Sequence, residues 1–174
     1  MRPCALALLA TVTAAPAVGC AAPDDGVLDT TFDVCAPLVL EGDATPAQQA
    51  SLDQAQQLWR DRGAVGLGVA GADAATLPVV FAPGAAVFHG YYDDEAGVLY
   101  VNAGAFAGDS RAITIAHELG HAFGLWHVDA GERLSVMNPG NLTIAPTEDD
   151  QRAIEALWGR CPRAAGPTGD VARR

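Results

Sequence analysis

Three of the chain's four histidines fall within the run His117-Glu118-Leu119-Gly120-His121-Ala122-Phe123-Gly124-Leu125-Trp126-His127. Residues at i and i+4 of a helix share a face, so His117 and His121 project their imidazoles one turn apart. That spacing suits two nitrogen ligands of one zinc ion at about 2.0–2.1 Å. Glu118, beside the first histidine, can lean toward an open position on the metal without binding it. Gly124 is the natural end of the helix, because glycine takes the left-handed conformation at little steric cost. A sharp turn there brings His127 back as a third ligand. Three histidines leave the fourth tetrahedral position for water, the arrangement of a catalytic rather than a structural zinc.

A second element follows ten residues after the last histidine, at Ser135-Val136-Met137-Asn138-Pro139. Met137 is the only methionine besides the initiator. Further on, Thr147-Glu148-Asp149-Asp150 opens a helix with a good N-cap and three acids at the positive end of its dipole. Ile154, Leu157 and Trp158 form its apolar stripe, and Gly159 ends it.

The histidine run resembles the metzincin motif His-Glu-x-x-His-x-x-Gly-x-x-His at every fixed position. Residues 135–139 are similar to the Met-turn of that family, in which Met137 would form an apolar floor beneath the metal. The Thr-Glu-Asp-Asp helix is similar to the last helix of matrixin catalytic domains, so within the metzincins the chain most resembles the matrixin branch. The resemblance runs with specificity from Ile113 to Gly159. It departs from that branch in having no Pro-Arg-Cys-Gly stretch and no second site of further histidines. Pro139 stands where other metzincins carry a zinc-approaching tyrosine, so no tyrosine ligand is expected.

The elements that must position these residues follow from the rest of the chain. Thr45-Pro46-Ala47-Gln48 combines an N-cap, a proline at N1 and a glutamine at N3. It predicts a helix running to Arg62 and stopping at Gly63, with Leu52, Ala55 and Trp59 inward. Strand character marks Phe32–Glu41, broken at Pro37, then Val65–Ala70, Leu77–Ala82, Ala86–Tyr91 and Val98–Asn102. Asp109 or Ser110 can cap the zinc helix. The order implies an α/β (α+β) metzincin-like zincin fold: a twisted mixed sheet, a backing helix, the zinc-binding active-site helix, the Met-turn and a C-terminal helix. Ala86–Tyr91 is the candidate for an exposed sheet edge, where a peptide could add as an extended strand. His89 on that segment reads as a surface residue rather than a ligand.

The chain's 174 residues suit one catalytic domain, over residues 32–162, and a monomer. Residues 1–20 read as a leader, with Arg2 before a short apolar region from Ala5 to Ala15. Ala17-Val18-Gly19-Cys20 resembles a lipobox, which would make Cys20 an acylated first residue, with alanine where leucine is usual. Ordinary cleavage near Ala21 or Ala22 is the alternative. Residues 21–31 read as a tether and 163–174 as a loose tail. The expected location is outside the cytoplasm, as an envelope lipoprotein or a secreted protein, with a lipid at Cys20 as the only membrane contact.

With Cys4 and Cys20 assigned to the leader, Cys35 and Cys161 remain. Two cysteines near opposite ends of an exported domain pair most simply as a disulfide, the alternative being two unpaired buried thiols. The metzincin-like architecture, packing its last helix behind the active-site lobe, implies the same Cys35–Cys161 bond. The net charge of −11 and the lack of a basic run before Arg173-Arg174 argue against nucleic acid as a partner. Asp93-Asp94-Glu95-Ala96-Gly97 has the composition of a calcium loop, but no EF-hand spacing, and reads as a solvated turn.

The resemblance implies a zinc endopeptidase, with Glu118 as general base and His117, His121 and His127 as ligands. Asp129 is a weaker candidate for orienting a histidine and reads as a loop residue. The alternative function is a zinc-bearing envelope protein that binds peptides uncut.

Overall fold

The computed structural model describes residues 28–104 and 106–162. The proposed leader, the lipobox at Cys20, most of the tether and the tail lie outside the described residues. Among the described residues no helix is long and apolar enough to cross a membrane.

The elements are β1 (Leu38–Glu41), α1 (Pro46–Arg60), β2 (Ala75–Ala82), β3 (Gly90–Asp93), β4 (Val98–Asn102), α2 (Asp109–Ala122) and α3 (Glu148–Trp158). The four strands form one mixed sheet in the order β1-β2-β4-β3. β1, β2 and β4 run parallel, and β3 pairs antiparallel with β4 as a sheet edge. The two central strands alternate strictly, with Leu77 and Val79 of β2 and Leu99 and Val101 of β4 buried. Leu52, Ala55 and Trp59 of α1, and Ile115, Ala116 and Leu119 of α2, complete the same core.

α1 begins as its sequence predicts. Thr45 accepts from the Gln48 amide, and the Gln48 side chain accepts from the Thr45 amide. It buries the three expected residues, Trp59 completely. It stops at Arg60 rather than Arg62, because Asp61 already closes the helix and Gly63 turns the chain with φ of 98°.

The expected strand at Val65–Ala70 does not form. Only Leu67 makes a bridge, to Leu38. Glycines explain the difference. Gly66 lies so tightly on the Ala36 carbonyl that a Cβ would overlap it, and Gly68 sits at φ of 79°. The first strand is likewise shorter than Phe32–Glu41, since residues 34–36 form a turn in which the Asp33 carbonyl takes the Ala36 amide. The edge strand starts at Gly90 rather than Ala86. The Asn102 side chain takes the carbonyls of Ala85 and Phe88 at 3.0 and 2.7 Å, which curls residues 85–88 out of the sheet. In α3, Ile154 is buried as expected, but Leu157 is 55% exposed at the surface beside Gly124.

Cys35 and Cys161 are joined as a disulfide, with a Cα–Cα distance of 5.1 Å across 126 residues. The bond ties the segment before β1 to the segment after α3. Both sulfurs lie against the main core. Replacing both cysteines by serine is expected to lower unfolding free energy by about 2–5 kcal/mol. Chemical denaturation of reduced and oxidised protein checks this, and an unchanged midpoint would show that the bond does not hold the ends together.

Candidate metal centre

Two turns and one helix build the site. α2 carries His117 and His121 on the same face, as their spacing requires. Its end is a double-bonded glycine turn: the Leu125 amide donates to the Gly120 carbonyl and the Gly124 amide to the His121 carbonyl. Gly124 occupies φ of 92°, where a side chain would be strained. The reversal returns the chain across the helix end and places His127 opposite the other two.

The Nε2 atom of His127 lies 3.1 Å from that of His117 and 3.3 Å from that of His121. A tetrahedral ion with bonds of about 2.0–2.1 Å requires ligand separations of about 3.3–3.4 Å. The donor set therefore fits zinc in type, number and spacing. Among the described residues these three side chains form the one cluster able to hold a metal.

Their protonation agrees. The Nδ1 of His117 lies 2.7 Å from the Val136 carbonyl, and the Nδ1 of His121 lies 2.7 Å from the Leu125 carbonyl. A carbonyl can only accept, so each Nδ1 carries the proton and each Nε2 presents its lone pair to the common centre. Burial lowers the imidazole pKa to about 4 at His117 and about 3 at His121, and lowers that of His127. All three are thus neutral, as metal ligands must be.

Glu118 is buried beneath the edge strand. Gly90 makes that approach possible, since a Cβ there would stand 3.2 Å from the Glu118 Cγ and 3.0 Å from the Thr114 methyl. Burial pushes the Glu118 carboxyl up to about 8, against the Tyr92 amide, which favours the carboxylate.

Met137 lies directly under α2, where a Cβ on Gly120 would overlap its sulfur. Its carbonyl accepts from the Val128 amide, joining this turn to the segment that carries His127. Asn138 holds the turn from within, donating to the carbonyls of Val128 and Arg133 while accepting from the Ser135 amide.

Asp150 is the functional residue that sequence reasoning assigned only to a helix start. It is 1% exposed and accepts from the Ser135 hydroxyl, the Val136 amide and the Thr147 amide and hydroxyl. One carboxylate thereby caps α3 and holds the peptide whose carbonyl orients His117. At the other end of the site, the Trp59 indole donates to the Ala116 carbonyl at 2.7 Å and meets Phe123 edge-on. The Trp158 indole donates to the Phe123 carbonyl at 2.8 Å. The sequence marked Thr147 as the N-cap and Asp150 as an acid of the first turn, but nothing local showed that its oxygens reach residues 135 and 136.

Other candidates lie apart from the histidine cluster. His89 is half-buried with its ring edge-on to Phe106. Asp129 is an exposed loop residue whose carboxylate accepts from the Gly131 amide. Asp93 accepts from the Ala96 amide within the β3–β4 turn, and Asp94 accepts from the Asp29 amide, tying the segment before β1 to that turn. The expected cap of α2 is not made by Asp109 or Ser110. Gly108 stands at the N-cap, Asp109 is the first helical residue, and its carboxylate accepts from Gln54.

No curated protein matches the sequence. The model of the reprolysin-like metallopeptidase family M12B matches residues 40–128, just over half of the chain, from β1 through the third histidine. That span contains the cluster whose donors and spacing suit zinc, on a mixed sheet backed by helices. The chain belongs to the reprolysin-like family M12B and is a zinc metallopeptidase of metzincin type.

Proposed function

We propose that this protein is an exported zinc endopeptidase in which Glu118 is the general base. The observation that carries the reading is the convergence of three neutral histidine nitrogens, with the outer protons of His117 and His121 held by carbonyls, near a buried carboxyl that forms no ion pair among the described residues. Held by His117, His121 and His127, a zinc ion would supply Lewis acidity toward the scissile carbonyl and toward water. In its ionised form, which a bound cation's charge would favour, Glu118 accepts the proton of the attacking water as the new C–O bond forms. It returns that proton to the amine nitrogen as the C–N bond breaks.

The outer edge of β3 supports an extended substrate. Main-chain pairing along Gly90–Asp93 would position the peptide above Glu118 with little demand on side chains. The Ser135–Pro139 turn and the Asp150 contacts support the finer likeness to matrixins. The disulfide supports folding in an oxidising compartment. A lipid at Cys20 would tether the enzyme to the envelope.

Glu118→Ala is expected to keep zinc and lose about 10²–10⁴-fold in kcat/KM toward peptides. Parallel metal analysis and peptidase assays test this. Near-normal cleavage by the variant would remove Glu118 from the mechanism, and a wild type that binds peptides without cutting them would contradict the peptidase assignment.

Asp150→Ala is expected to weaken zinc affinity about 10–100-fold, because the peptide that orients His117 loses its anchor. Competition with a chelator of known affinity measures the effect. Unaltered affinity would confine Asp150 to capping α3.

A further inference from the structure

Asn141 stands two residues beyond the Ser135–Pro139 turn, half-buried, in a stretch without regular secondary structure. Its side-chain amide is fully engaged. Oδ1 accepts from the amides of Thr143 at 3.0 Å and Ile144 at 2.8 Å. Nδ2 donates to the carbonyls of Ile144 at 2.7 Å and Val136 at 3.2 Å. These partners fix which end of the group is which, because backbone amides can only donate and carbonyls can only accept. Turned over, the group would set its oxygen against two carbonyl oxygens.

The bonds to Thr143 and Ile144 fold the segment ahead of α3 around one side chain. The bond to Val136 has no part in that and reaches back to the metal site. The Val136 carbonyl is the group that takes the Nδ1 proton of His117, at 2.7 Å. A carbonyl oxygen has two lone pairs, so His117 and Asn141 can both donate to it. The 2.7 Å bond is at the short end for N–H···O and the 3.2 Å bond at the long end. His117 therefore has the stronger claim on the oxygen, and Asn141 braces it from the other side.

The opposite edge of the same peptide unit is also held. The Met137 amide donates to the Ser135 hydroxyl oxygen at 2.9 Å, and that hydroxyl donates to Asp150. Held only at its N–H, the peptide plane could still pivot and carry its oxygen away from the His117 ring. A second hold on the oxygen removes that freedom. Groups that orient a ligand in this way raise metal affinity without touching the metal.

We propose that Asn141 is a positioning residue for the metal site, which steadies the Val136 carbonyl and through it the His117 ring. The inference rests on the zinc site and not on peptide cleavage.

The test reads the ring itself. In zinc-loaded protein carrying isotope-labelled histidine, proton NMR follows the Nδ1 protons of His117 and His121. They sit on separate carbonyls, so His121 is an internal control. Asn141→Asp keeps an acceptor for the Thr143 and Ile144 amides and removes both donors. The His117 proton is expected to move upfield or be lost to exchange with water, while the His121 proton keeps its shift. Zinc affinity, measured against a chelator, is expected to fall about tenfold. Asn141→Ala adds no charge and is expected to give the same pattern, which separates the lost donor from the new carboxylate. A His117 proton unmoved in both variants, or both histidine protons moving together, would confine Asn141 to shaping the segment ahead of α3 and overturn the proposal. A downfield shift with tighter zinc binding would show that Asn141 merely competes for the carbonyl, and would overturn it equally. A wild type that binds zinc and cuts no peptide would strike the peptidase reading alone, whereas one that binds no zinc would overturn both.

Discussion

His117 and His121 can direct their Nε2 atoms at a common point only because two backbone carbonyls, of Val136 and Leu125, take the protons on the other side of each ring. A neutral imidazole carries one proton and can place it on either nitrogen, so an unheld ring is a ligand for only part of the time. Each carbonyl comes from a turn rather than from the helix. The Leu125 carbonyl is delivered by the glycine turn that ends α2, and the Val136 carbonyl by the turn beneath the helix. The metal geometry is therefore as stable as those two turns.

Much of the remaining structure serves to hold them. Asp150 fastens the Val136 peptide to the start of α3, and Trp158, at the other end of α3, fastens the Phe123 carbonyl. Gly120 admits the Met137 sulfur to the underside of the helix, and Trp59 braces the same stretch from α1. Each contact spans a long sequence separation and restrains a residue within two positions of a ligand or a peptide hydrogen-bonded to one. Precision of this kind is what a site needs if its open position is to present the same geometry at every turnover.

The legible parts of this protein are those in which neighbours along the chain determine the outcome. The histidine run, the helix starts at Thr45 and Thr147 and the strand at Val98–Asn102 are local patterns, and each leads to the expected element. Val65–Ala70 has strand-like composition, yet Gly66 is needed for close approach to Ala36 and Gly68 for a left-handed turn, and the strand is lost. The pairing of Asn102 with residues 85–88 could not be read, because a polar residue ending a strand usually faces water. Asp150 was legible as a first-turn acid after the Thr147 cap and not as an anchor for the Met-turn, since those partners lie fourteen and fifteen residues away.

The central claim is an open zinc site with three histidine ligands. X-ray absorption at the zinc K edge of the metal-loaded protein tests it most directly. The account predicts three imidazole nitrogens and one light non-imidazole scatterer at about 2.0–2.1 Å, with one zinc per chain. A fourth protein nitrogen, or a sulfur at about 2.3 Å, would describe a closed structural site and contradict it.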